Sequence, residues 1–377
     1  MDCSARPDRR PRANVGLSYR FGGRQIETVD RSRPRALRPA GPATRGLSAK
    51  LWAGLLVTAL VLVWAPAAWP AGDSNGTGPD FWLLPPGERL AFQDSGSALA
   101  ADSAGPPSAR PEDQGWSLAG PGGRPNWVLT SLVAAGAVAG ASLNSLLEFP
   151  WESYHVDNEG WFGQNTTYGG ADKAAHFVDY YIVSKEFANL FVRLGHPRER
   201  ARWMAAGVAG LTGLVNELGD GTTRHGFSPE DLTMDIGGAL SAAVIDYFAV
   251  GDLVGFRRGY ASFDDCCNYS NEIYTADFRL AGAARRLGLN IGPLKYLLLS
   301  VTYGTRGYPS DTGTQRRVGF EVGLDFKQIL DDLNVGRSTW WGYGLHVVFD
   351  NIRVPFTAVG YRYDLNRGRW HGPNAGN

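Results

Sequence analysis

Apolar positions recur with helical spacing through the middle of the chain and with alternating spacing near its end. Trp127 to Leu147 (WVLTSLVAAGAVAGASLNSLL) is apolar nearly all round and predicts a buried or membrane-associated helix, stopped by Phe149-Pro150-Trp151. Its 21 residues would suffice to span a bilayer. Residues 152 to 170 read as a loop rich in Trp, Tyr, Asn and Gly. A second helix is predicted from Asp172, as N-cap, to about Leu194, ending at Gly195-His196-Pro197. Asp179, Lys185, Glu186 and Arg193 make it too charged to face lipid. A third is expected from Arg198 to Leu218, with Gly207, Gly210 and Gly213 as small positions for close packing. Ser228-Pro229-Glu230-Asp231 gives the clearest start: a Ser cap, Pro in the first turn and early acids predict a fourth helix from Pro229 to about Val250.

Beyond about residue 275 the period becomes two. Val318, Phe320, Val322, Leu324 and Phe326 alternate with polar or small residues, as do Trp341, Tyr343, Leu345, Val347 and Phe349. Segments 296–303 and 356–363 are also strand-like, while Thr275 to Leu287 reads as a short amphipathic helix. The expected fold is α+β: an Ala/Gly-rich four-helix domain followed by a small antiparallel sheet of about four strands with one short helix. Four strands cannot close a membrane barrel. The aromatics Tyr296, Tyr303, Trp340, Trp341, Tyr343, Tyr361 and Tyr363 therefore read as sheet packing rather than a girdle.

Charge distribution changes the picture at the N-terminus. The chain is neutral overall, but residues 1 to 50 hold twelve Arg/Lys against four Asp/Glu, leaving the remainder at about −8. That balance excludes nucleic-acid binding by charge. Leu51 to Trp64 is a short apolar run followed by Ala65-Pro66-Ala67, which together with the basic leader predicts a signal peptide, or alternatively a signal anchor extending through Ala71. Residues 72–125 have the composition of a disordered linker. The expected organisation is thus leader and signal 1–71, linker 72–125, helical domain 126–255 and sheet domain 256–377. Cys3 would be lost with the leader; Cys266-Cys267 would remain, with their pairing undetermined.

Candidate chemistry lies in polar groups set among small apolar residues. Asp172 and His176 share a helix face, as do Asp231 and Asp235. Glu217 ends the third helix, and Asp220, Arg224 and His225 occupy the turn after it. If these helix ends meet, Asp172, Lys173, His176, Glu217, Asp220, Ser228, Asp231 and Asp235 form one polar cluster. It would either dock helices, with Lys173 and Arg224 neutralising buried carboxylates, or hold a divalent cation at Asp172, His176, Glu217 and Asp235. No nucleophile with a paired base, Gly-rich phosphate loop or His-x-x-x-His pair is present.

At these residues the series D-K-x-x-H-F (Asp172 to Phe177), then Glu217, then G-F-S-x-x-D-L-x-x-D ending on Gly237 or Gly238 resembles the YfiM-like family of predicted periplasmic lipoproteins, a domain of unknown function. It is similar, more loosely, to VanZ-like membrane proteins. The likeness covers roughly residues 168 to 250 and implies an envelope location without implying a reaction; no lipobox Cys follows the apolar run. Together these features predict an exported, membrane-associated periplasmic protein, non-catalytic, whose partners are membrane or envelope components and which could self-associate. The alternative is a metal-assisted hydrolase or transferase acting on a lipid or cell-wall precursor. A third reading has the first, third and fourth helices spanning a membrane.

Overall fold

Local chemistry sets the helix boundaries in the computed structural model, which describes residues 116–147, 150–261, 269–309 and 313–373. The leader, the signal segment, linker residues 72–115 and Cys266-Cys267 lie outside the described residues, while 116–125, expected as the end of the linker, are ordered against the rest of the chain: Trp116 packs on Arg193 and Tyr343, and the Leu118 amide donates to the Arg193 carbonyl at 2.8 Å. Helix α1 covers Trp127–Leu147, α2 Ala171–Arg193, α3 Arg198–Asp220 and α4 Pro229–Tyr247. Ser228 caps α4, accepting the Asp231 amide at 3.2 Å. Asp172 is not a cap. Gly169 and Gly170, both at positive φ, turn the chain into α2 and leave Asp172 at the second helical position, where its carboxylate meets Lys173.

Helices α2, α3 and α4 pack mutually, and α1 packs on α3. Ala188 and Phe191 of α2 meet Ala201 and Ala205 of α3 at the elbow between them, with Leu194 and larger apolar side chains such as Leu129, Phe187 and Met204 around them. The closest approach is at Gly238, where an added Cβ would stand 2.0 Å from the Phe177 carbonyl oxygen. Gly213 likewise leaves room for Asp235, but Gly207 and Gly210 face open space and do not serve the packing expected of them. Among the described residues no helix is long and apolar enough to cross a membrane, which overturns the reading of α1, α3 and α4 as spanning.

The sheet is larger than the pattern predicts. Seven strands, β1 Val254–Tyr260, β2 Glu272–Arg279, β3 Leu297–Arg306, β4 Gln315–Leu324, β5 Ile352–Arg353, β6 Ala358–Asp364 and β7 Arg369–His371, lie in the order β5-β1-β2-β3-β4-β6-β7. Neighbours are antiparallel except β1 and β5, which pair in parallel over two residues. The mixed α+β class therefore holds. Two assignments are corrected. Thr275 to Arg279 belongs to β2, and only Leu280–Leu287 is helical (α5). Trp340–Asn351 is a helix (α7), not a strand: Thr339 caps it through the Gly342 amide, and its buried positions Gly342 and His346 are four apart. A further short helix, α6, spans Phe326–Asp332.

The polarity of the sheet is inverted. On β4, Arg317, Gly319, Glu321 and Gly323 are buried while Phe320, Val322 and Leu324 are exposed; on β3, Ser300 and Thr302 are buried while Leu299 and Val301 are exposed. The buried face is held by ion pairs, Arg257 with Asp277 and Arg353 and Arg362 with Glu321. Ser300 Oγ donates to Asp277 at 2.6 Å. Glu321 and Arg353 sit four strand positions apart, roughly 19 Å in a flat sheet, yet their side chains meet at 2.9 Å, so the sheet curls around this charged interior. The N-terminal half of α2 covers part of the outer face: Ala171, Ala174, Ala175 and Val178 pack on Tyr274, with Phe256 and Tyr303 beside them.

Candidate functional site

The polar residues gather where α2 begins, α3 ends and α4 begins. Lys173 is fully buried and its ammonium contacts Asp172 Oδ2 at 2.9 Å, Asp231 Oδ1 at 2.8 Å and the Glu159 carboxylate. Three segments, α2, α4 and the loop before α2, thus share one cation. Burial works against the ammonium, but the charges of Asp172 and Asp231 outweigh it and raise its pKa, so Lys173 stays charged. Burial pushes Glu159 up to about 7, with Lys173 opposing.

One turn on, His176 faces carboxylates through both ring nitrogens: Nδ1 lies 2.8 Å from Asp235 Oδ1 and Nε2 3.8 Å from Asp231 Oδ1. Burial pulls the imidazolium pKa down, but the bond to Asp235 and the charges of Asp231, Asp235 and Glu217 push it up to about 9. Burial likewise raises Asp235, with His176 opposing, and pushes Glu217 up to about 8 against the Ser228 amide and the His176 charge. Near neutral pH His176 is therefore an imidazolium and Glu217 is largely protonated. Glu217 Oε2 accepts the Ser228 backbone N–H at 3.0 Å, which ties the end of α3 to the cap of α4.

Two groups emerge where one is expected. His176, Glu217 and Asp235 offer ligand atoms within 4.8 Å of one another, and so do Glu159, Asp172 and Asp231; Asp172 thus stands with the Lys173 group rather than with His176. Asp220 points away, accepting from Ser145 Oγ at 3.0 Å and Asn216 Nδ2 at 3.1 Å. Arg224 is exposed and contacts His225, so Lys173 alone of the two expected cations neutralises the buried acids. Asp179, farther along α2, pairs with Arg258 of β1. Glu159 escapes sequence reading because it is a single acid in an aromatic loop with no periodicity to fix its direction; its neighbour Gly160 marks only a turn.

A cavity of about 610 Å³ lies elsewhere, toward the far end of α2, and is lined by Lys185, Arg198, Asp246, Arg279, Lys327 and Asp350 among others. Its walls are mutually paired, Arg198 with Asp246 and Lys185 and Arg279 with Asp350. It shares no residue with the polar cluster. No curated protein and no solved structure matches the chain. Residues 158–247, which contain the whole polar cluster from Glu159 to Asp235, match the family model described as predicted periplasmic lipoprotein (DUF2279), a likeness that supports an exported, periplasmic location for a protein of unknown activity.

Proposed function

We propose that this chain is a periplasmic, membrane-associated envelope protein in which the polar cluster docks helices and performs no catalysis. The observation that carries the reading is Lys173, enclosed by carboxylates from three separate segments. A buried cation so surrounded fixes how α2, α4 and the preceding loop meet. His176 reinforces the dock: with carboxylates at both nitrogens it is an imidazolium, and a metal would first have to displace its proton and that of Glu217. The looser likeness to VanZ-like proteins rests on the same motif residues and suggests no reaction. The exposed apolar side chains of the sheet, Phe320, Val322 and Val359 among them, support membrane association.

A second reading is favoured by one observation. Asp235 Oδ2 is buried without a hydrogen-bond partner, leaving a lone pair for a divalent cation shared with His176 and Glu217, which could then activate water. Thermal unfolding of the full chain separates the two. Docking expects the same midpoint with chelator, with zinc and with magnesium, and a collapse on Lys173→Met. A metal site expects a midpoint that rises by several degrees with one ion and loses that response on His176→Ala.

A further inference from the structure

The cavity at the far end of α2 carries more positive charge than its own acids neutralise. It encloses about 610 Å³, a size that suits a small organic ligand. Eight Lys and Arg side chains line it against four Asp. Three of those carboxylates are shared. Asp246 serves Arg198 at 2.6 Å and Arg202 at 3.1 Å, and Asp252 serves Arg286 and, at 3.9 Å, Arg285. Asp350 serves Arg279, Lys185 at 3.1 Å and Lys327 at 3.7 Å. The fourth, Asp331, lies 3.8 Å from His346. Two acids behind the wall contribute, Asp325 to Arg279 at 3.2 Å and Glu186 to Lys185 at 3.7 Å, so eight cations still face six carboxylates.

The surplus falls on Lys327 of α6 and on Arg337, in the loop between α6 and α7. Lys327 makes no hydrogen bond among the described residues, and its ion-pair partner Asp350 is already bonded to Lys185 and Arg279. Arg337 has neither an ion pair nor a hydrogen bond among the described residues. Burial lowers the Lys327 pKa; Asp350 opposes, and the charges of Arg279, Arg337 and Lys185 lower it further. Folding thus gathers like charges in a partly enclosed space, where water and salt screen their repulsion less than on an open surface. A bound anion would relieve it. The walls from α2 and α4 differ in kind, since Ala188, Ala242, Ala243 and Ile245 offer small apolar surface. Arg285 and Arg286, whose side chains are 57 % and 41 % exposed, place positive charge where the cavity meets solvent, which favours entry of an anion.

We infer that this cavity binds a small phosphate monoester, its phosphate held by Lys327 and Arg337 and its organic part lying on the alanines of α2 and α4. Two surplus positive charges match a phosphate dianion, whereas a carboxylate would satisfy one of them. None of the lining residues belongs to the polar cluster, so the site is independent of both the docking role of Lys173 and a metal at His176. Soluble esters and the headgroup of phosphatidic acid carry the same phosphate chemistry.

Isothermal titration calorimetry of the full chain at fixed ionic strength tests this with glycerol 3-phosphate, with dihexanoyl phosphatidic acid as dispersed monomer, and with propionate as the carboxylate control. At least one of the two phosphates should bind saturably, one per chain. Binding of glycerol 3-phosphate identifies a soluble ester as the ligand, and binding of the phosphatidic acid alone identifies a lipid headgroup. Lys327→Met and Arg337→Met should each weaken the binding by about tenfold or more, while Arg369→Met, on exposed β7, should leave it unchanged. Neither cation is needed to neutralise a carboxylate, so both variants should keep the urea midpoint of the parent, which shows that they fold. Binding that survives both substitutions, propionate bound as tightly as the phosphates, or no saturable binding of either phosphate overturns the inference.

Discussion

Lys173 shows how much of the docking depends on one side chain. Lys173→Met keeps the volume and removes the charge, leaving Glu159, Asp172 and Asp231 facing each other in a buried space; urea unfolding should show a loss of about 3 kcal/mol or more. His176 and Glu217 set the response to pH. The His176 pKa, near 9 in the fold against 6.5 ordinarily, gives a stabilisation that is complete below 6.5 and is lost as pH rises through 9. Glu217, near 8 against 4.5, favours the fold in its protonated form, so its contribution is also lost as pH rises, through 8. Both have the same sign: the unfolding midpoint should fall from mildly acidic to alkaline pH. Glu217→Gln should fold normally and flatten the part of that fall below 8, while His176→Gln should be less stable at pH 6 and flatten the part near 9. These residues were legible in the sequence because charge among alanines demands a partner. Their division into two groups was not legible, because it depends on Glu159, whose placement comes from tertiary packing of a loop.

Among elements, close packing is decided at individual glycines. Gly238→Ala would drive a methyl into the Phe177 backbone and should destabilise by about 1–3 kcal/mol, prising α4 from α2. Gly207→Ala, on an exposed part of α3 with nothing within 4 Å, should instead stabilise by about 0.5–1 kcal/mol through helix propensity; chemical denaturation of the two variants checks both signs. The helices α1 to α4 could be read within a few residues because caps, prolines and long apolar windows agree. Strands fared unevenly. The long β3 and β4 alternate cleanly, whereas β5 and β7 span two and three residues and carry no period at all. Strand β1 hides behind Arg257 and Arg258, whose burial is made tolerable only by Asp277 on a neighbouring strand and by Asp179 and Glu272. At 340–351 every second residue is apolar, a pattern a helix also satisfies, and the Thr339 cap decides between them.

At the scale of the whole molecule, small and charged residues face inward while many large apolar ones face outward, on α4 through Ile236, Leu240 and Val244 as well as on the sheet. Cohesion inside the sheet is therefore ionic more than hydrophobic. Arg257→Met should cost about 3–5 kcal/mol by stranding Asp277, while adding Asp277→Leu should recover most of that loss, a double-mutant cycle measurable by urea unfolding. The curl that brings Arg353 to Glu321 has a consequence for the order of assembly. A chain delivered from its N-terminus completes α2, α3 and α4, with their ionic lock, from segments close in sequence. Glu321 must wait until residues 353 and 362 have emerged, and β1 gains its outer neighbour only then. The helical half can thus form early as a template, while the sheet is closed late, by its last third, through contacts of long loop length. Chain interrupted before Arg353 would present an unneutralised glutamate on what should be an interior wall, an electrostatic difference between an unfinished molecule and a finished one.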